Sequence, residues 1–189
     1  SLNISNNEIL IIQTGKLSFD KRPDLTIRAS KINLKKIKGN ILFIGAHSNS
    51  EKNELAKLFN RISTKNWKLH FIKNQEFQNL SKFYISADLL SYPGGATLSC
   101  IEGAATGCKS IVARTPEGIR RANLGIASVP INSKDLSFEE LLKTEVYNLI
   151  SKKKDLSFIY SESLKTSNLV KEFSYKEISK KLYKLTHKN

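Results

Sequence analysis

The chain has 189 residues, 40% of them hydrophobic, which suits one domain with a sizeable core and excludes a disordered segment. No apolar run approaches the roughly 20 residues of a membrane span, and no signal-peptide pattern opens the sequence. The formal charge is +14, but only six of the 31 basic residues are Arg, and the Lys are scattered among Asn, Ile and Ser without aromatic interleaving, so no nucleic-acid partner is expected.

In chain order, residues 8–13 (EILIIQ) form a buried strand by their apolar run. A loop carrying Lys16 and Lys21 follows, with Pro23 in the first turn of a helix that runs to about residue 37. Residues 40–45 (NILFIG) are a second buried strand. Ser48 and Glu51 stand at capping-box spacing and open a helix that reaches about residue 62. In 67–72, Trp67, Leu69 and Phe71 alternate with Lys68 and His70, which places this third strand near a sheet edge. After a loop at Lys73 and Asn74, a helix over 75–86 leads to a strand over 87–92, apolar despite Asp88.

Pro93, Gly94 and Gly95 close that strand. A helix over 96–106, a left-handed stop at Gly107 and a strand over 109–113 complete a βαβ unit, whose strands are parallel and whose crossover is right-handed. Cys100 and Cys108, at the two ends of this helix about 12 Å apart, are too distant for a disulfide. With no paired Cys or His nearby, no metal site is expected. Residues 114–121 read as a loop or short turn that turns Arg114, Arg120 or Arg121 toward the ligand side. A last strand over 126–131 is an edge strand because of Pro130. Two capping boxes, Ser137 with Glu140 and Ser174 with Glu177, start the closing helices.

Strands alternating with helices predict an α/β fold: a Rossmann-like, doubly wound parallel sheet of about six strands in three α/β/α layers. The reading is a single domain over 1–189 with a helical tail over 156–189 packed on it.

Ligands of such a sheet bind at the carboxyl ends of its strands, where Gly94 and Gly95 sit. Lacking Cβ, the two glycines let an anion approach the main chain, and the N–H groups of Ala96, Thr97 and Leu98 open the helix toward it. Glu102, the one charged residue from 96 to 108, lies two turns on and on the face of Gly95, within reach of a diol beside a bound phosphate. Phosphate and diol together describe a nucleotide diphosphate. The same residues also fit a plain tight turn followed by a half-exposed helical glutamate, and spacing alone does not choose. An NAD fingerprint is missing, since no G-x-G-x-x-G follows a first strand.

This order of features resembles the donor-binding core of the GT-B glycosyltransferases, most of all the retaining family 4. The resemblance spans nearly the whole chain: a loop with Lys16 and Lys21, the Glu102 helix and a closing EFSYKEISKKLYKL arrive in the family's sequence. It implies the C-terminal, nucleotide-sugar-binding half of a two-domain enzyme, whose acceptor-binding N-terminal domain is absent from this chain. Alone, the chain is then expected to bind donor without efficient transfer.

By the same resemblance Lys16 and Lys21 stabilise the leaving diphosphate and Gly94, Gly95, Ala96, Thr97, Leu98 and Glu102 hold the nucleotide. Lys73 and Asn74 lie against the base, and no metal or other cofactor is needed. The family usually shows two glutamates separated by seven residues. Glu102 matches the second, associated with the donor ribose, and Gly94 stands in place of the first, associated with the transferred sugar. Lys16 replaces an arginine and loses its bidentate fork. The GGAT and glutamate pattern also resembles inverting GT-B enzymes, so the stereochemical course stays open.

The resemblance implies transfer of a hexose-type sugar from a nucleotide diphosphate sugar to a glycan or lipid-linked acceptor in cell-surface polysaccharide synthesis. The location implied is cytoplasmic, with peripheral contact at an anionic inner membrane face left open by the lysine clusters. The alternative is a non-catalytic nucleotide-binding or anionic-lipid-binding module on the same fold.

Overall fold

The computed structural model describes residues 2–5, 7–34, 37–152 and 164–171. Its elements are β1 (Ile9–Thr14), α1 (Pro23–Ile27), β2 (Gly39–Ile44), α2 (Asn49–Ile62), β3 (Trp67–Ile72), α3 (Phe77–Ser86) and β4 (Leu89–Tyr92), followed by α4 (Leu98–Ala105), β5 (Ser110–Val112), α5 (Pro116–Asn123), β6 (Ala127–Ser128) and α6 (Asp135–Lys152). The six strands form one sheet in the order β3-β2-β1-β4-β5-β6, and every pairing is parallel. The winding direction reverses between β1 and β4, so a crevice opens beyond their carboxyl ends.

Alternate strand residues feed two cores. Ile9, Ile11, Ile41 and Phe43 pack with Leu25, Phe59, Phe138 and Leu142 of α1, α2 and α6. Leu10, Ile12, Leu42 and Leu90 pack with Tyr84 and Cys100 of α3 and α4 on the opposite face. The result is the three-layer α/β/α arrangement, with both faces of β1, β2 and β4 buried. Asp88 fits the apolar start of β4 because its carboxylate accepts the Leu10 N–H at 2.8 Å. β3 lies at one edge and β6, next to Pro130, at the other.

Several boundaries differ from the sequence reading. The first helix ends as a 3-10 turn at Lys31, well short of residue 37. The Ser30 carbonyl accepts from the Thr64 N–H at 2.8 Å and the Ile32 carbonyl from Trp67 Nε1 at 2.9 Å, so neither continues the helical ladder. Residues 116–123 form α5, not a loop, with Thr115 Oγ1 capping the Gly118 N–H at 3.0 Å and Pro116 at the first position. α6 begins at Asp135, two residues before the Ser137 box, because the Lys134 carbonyl already accepts from the Ser137 and Phe138 N–H groups at 3.0 and 3.3 Å. The Ser174 box and most of the 156–189 tail lie outside the described residues. Within 164–171, Ser167 Oγ donates to the Ala105 carbonyl at 2.9 Å, and Val170 packs with Ala104 and Ile126.

Candidate functional site

Beyond the ends of β1 and β4 the two strands' loops enclose a cleft of about 290 Å³, including the part open to solvent. The end of β1 supplies Gln13 and Thr14, the following loop Gly15, Lys16 and Lys21, and the end of β4 Tyr92; Gly94, Gly95 and Thr97 of the next turn complete the wall. Both lysines and the glycine turn therefore open on one rim. Gln13, Thr14, Gly15 and Tyr92 were not singled out in the sequence, where they read as strand ends and core.

A buried polar chain fixes the lysine loop. Gln13 Nε2 donates to the Lys21 carbonyl at 3.0 Å, while Gln13 Oε1 accepts from Thr26 Oγ1 at 2.6 Å. With its one proton spent, Thr26 Oγ1 accepts from Ser91 Oγ at 2.8 Å. Arg22 then turns the chain into α1 with φ 50°, a left-handed conformation that is strained for a side-chain-bearing residue. Its guanidinium grips Asp135 through two nitrogens, at 2.9 and 2.6 Å, and Asp24 at 3.0 and 3.1 Å. Asp135, at the start of α6, has its carboxyl held below the usual range by the Arg22 hydrogen bonds, and Arg22 is raised in turn. Lys21 itself reaches Asp20 at 3.2 Å, and the Ser18 and Lys21 hydrogen bonds hold the Asp20 carboxyl low.

The two glycines have different duties. A Cβ on Gly94 would strike the Asp20 carbonyl and the Lys21 Cα, so its missing side chain makes room for this chain's own loop rather than for an anion. Gly95 has φ 132°, and a Cβ there would meet nothing within 4 Å, so Gly95 is the residue whose bare main chain faces open space.

The helix beyond them opens at Leu98, with Thr97 as its N-cap, two residues later than the sequence suggested. Its first free N–H groups are therefore those of Leu98 and Ser99. Ala96 packs partly against the core instead, and the Leu98 side chain is 65% exposed outside the cleft wall. The Thr97 hydroxyl is buried and has no hydrogen-bond partner among the described residues.

Glu102 is half-buried and does not line the cleft itself. Its Oε2 accepts from the Tyr84 hydroxyl at 3.3 Å; that hydroxyl lies 3.3 Å from Thr14 Oγ1, which is 3.0 Å from the Tyr92 hydroxyl. The glutamate is thus tied to the cleft floor through three hydroxyls.

Lys73 and Asn74 are exposed at the end of β3 on the same rim, outside the cleft wall, where their carbonyls accept from Gln75 Nε2 at 3.0 and 3.2 Å. The three arginines turn elsewhere. Arg114 Nη1 donates to the Pro130 carbonyl at 3.1 Å, and α5 directs Arg120 and Arg121 to Glu117. Arg114 lines a second hollow across Gly94, together with Arg22, Lys134 and Asp135. Cys100 and Cys108 are buried and free, and burial pushes both thiols up. Among the described residues no cluster of three or more His, Cys, Asp or Glu suits a metal ion, and no helix is long and apolar enough to cross a membrane.

No protein-family model and no curated protein matches the sequence. Solved structures do match the fold. A glycosyltransferase from Rickettsia africae is similar at TM-score 0.72 and 15% identity, over 95% of this chain and 47% of that one. HepE of Anabaena in complex with UDP is similar at TM-score 0.72 and 14% identity, over 95% and 49%. UDP-GlcNAc 2-epimerase from Neisseria meningitidis, bound to UDP-GlcNAc, is similar at TM-score 0.57 and 16% identity, over 89% and 44%. At these identities the likeness establishes the fold, and in all three cases this chain spans about half the length of the structure it matches.

Proposed function

We propose that this chain is the nucleotide-sugar-binding half of a glycosyltransferase. The observation that carries the reading is one cleft, at the switch point of the sheet, in which Lys16 and Lys21 meet Gly95 and the start of α4. Two ammonium groups, a bare main chain and a helix N-terminus favour a pyrophosphate. The UDP complex of the similar Anabaena structure and the glycosyltransferase description of the Rickettsia structure support the same assignment.

In this reading the diphosphate lies across Gly95, with the Leu98 and Ser99 N–H groups toward its oxygens. Lys16 and Lys21 offset the negative charge that grows as the sugar–phosphate bond breaks, an electrostatic contribution that needs no metal. Glu102 receives the ribose hydroxyls, and the exposed main chain of Lys73 and Asn74 borders the base. The sugar transferred is of hexose type, and a glycan or lipid-linked acceptor is held by a second domain outside this chain, in cell-surface polysaccharide synthesis at the cytoplasmic side of a membrane. Both of the last two statements rest on the family resemblance.

A second reading has its own support. The loop backbone over Gly94 leaves no room for the sugar-contacting glutamate of the family, and the epimerase neighbour binds UDP-GlcNAc without being a transferase. Nucleotide-sugar binding without transfer is therefore the competing function of this cleft. Thermal unfolding in the presence of UDP-, GDP- and ADP-sugars tests the common core. One of them is expected to stabilise the chain by about 2.7 kcal/mol at 100 times its dissociation constant. Failure of all three to raise the unfolding temperature would remove both readings.

A further inference from the structure

Four side chains form a continuous line from the cleft floor to α4: Tyr92, Thr14, Tyr84 and Glu102. The two tyrosines are 2% and 1% exposed and Thr14 8%, so the line runs through the core rather than along the surface. Its direction follows from counting protons. A carboxylate only accepts, so the single Tyr84 proton goes to Glu102. Tyr84 then accepts from Thr14, and Thr14, its proton spent, accepts from Tyr92. Burial raises both tyrosine pKa values, which keeps these hydroxyls protonated as the scheme requires.

We infer that Tyr84 is a positioning residue, whose hydroxyl aims the Glu102 carboxylate at the ribose diol of a nucleotide whose pyrophosphate sits over the Thr14 and Tyr92 end of the same line. The inference rests on the nucleotide-binding reading above and adds a residue from α3, an element that contributes nothing to the cleft wall. Tyr84 bridges three elements: it stands on α3, receives a hydrogen bond from the end of β1 and holds a carboxylate on α4. Removing its hydroxyl leaves Glu102 on a half-buried helix face without its described partner, free to rotate away from the diol. The phosphate end keeps both lysines and Gly95, so only the contribution of the ribose hydroxyls changes.

Calorimetric titration of the wild-type chain, Tyr84→Phe and Glu102→Ala with UDP, GDP and ADP and with their 2′,3′-dideoxy counterparts separates the possibilities. The wild type is expected to prefer the intact diol by roughly tenfold or more, the scale of a hydrogen bond to a charged group. Glu102→Ala should lose this preference, and Tyr84→Phe should lose most of it while binding the dideoxy form as tightly as wild type. Should Tyr84→Phe not fold, Thr14→Val breaks the line one hydroxyl further on and is read by the same ratio. Equal weakening of both forms in Tyr84→Phe, or an undiminished preference beside a Glu102→Ala that has lost it, would overturn the positioning role and leave the nucleotide reading standing. No binding to wild type, or an undiminished preference in Glu102→Ala, would overturn the diol reading and the inference with it.

Discussion

The Lys21 main chain lies where a side chain on Gly94 would project. This one contact joins the loop after β1 to the turn after β4, and so builds the cleft from two segments distant in sequence. It also gives a physical reason for the glycine at the place where the resembled family carries a glutamate: here the loop occupies the volume that the glutamate would need.

Gly94→Glu should therefore not restore a sugar contact. Overpacking against backbone that cannot rotate away should cost about 1–3 kcal/mol, seen as a lower urea midpoint, and nucleotide affinity should fall because Lys21 is displaced. A variant as stable as wild type with tighter nucleotide binding would show that the loop yields easily.

Gln13→Leu should destabilise the chain by about 1–3 kcal/mol, since it takes the described partner from the part-buried Lys21 carbonyl and leaves the buried Thr26 hydroxyl only Ser91. Urea unfolding followed by circular dichroism measures this. The same variant should bind nucleoside diphosphate more weakly while its affinity for the free nucleoside is preserved.

The Arg22 and Asp135 pair predicts an acid-sensitive contribution. The Asp135 carboxyl is held below its ordinary value of 3.8, so its stabilisation is complete above that value and is lost as pH falls through the depressed one. Both side chains are more than a third exposed, which limits the contribution to about 1 kcal/mol. The urea midpoints of wild type and Asp135→Asn should differ at about pH 7 and converge as pH falls below 3.8 through the depressed carboxyl value. A gap that persists at the acid end would assign it to something other than this ion pair.

Lys16→Ala and Lys21→Ala should each lower affinity for a nucleoside diphosphate by roughly tenfold, the scale of a charge-assisted hydrogen bond, with little change for the nucleoside. Added salt should reduce the wild-type advantage, since Lys16 is exposed and the Lys21 side chain is 44% exposed. Equal losses for nucleoside and diphosphate would place the lysines away from the phosphates.

Much of the fold was legible because its signals are local. β3 coincides with the alternating run from Trp67 to Ile72, and α2 begins where Ser48 and Glu51 bond reciprocally, at 3.1 and 2.7 Å. What escaped depends on partners far along the chain. Nothing near residue 31 announces that Thr64 and Trp67 will claim the Ser30 and Ile32 carbonyls and so stop the 3-10 turn that follows α1. The Ser137 box has sound local spacing, yet the Lys134 carbonyl accepts from the Ser137 and Phe138 N–H groups and opens the helix earlier. In the site, Lys16, Lys21, Gly95 and Thr97 were visible as residue types at strand ends. Gln13, Thr14, Tyr84 and Tyr92 read as core because their role lies in hydroxyl and amide partners on other elements. Gly94 was read as bare main chain open to an anion, but the space beside it is filled by the protein's own loop.

The central claim is that the cleft between the lysine loop and Gly95 grips a pyrophosphate. A crystal structure of the chain with whichever of UDP, GDP or ADP stabilises it most tests this directly. The account predicts phosphate oxygens within about 3 Å of the Leu98 and Ser99 N–H groups and of the Lys21 ammonium. Phosphates seated instead across Gly94, in the hollow beside Arg114 and Lys134, would contradict it.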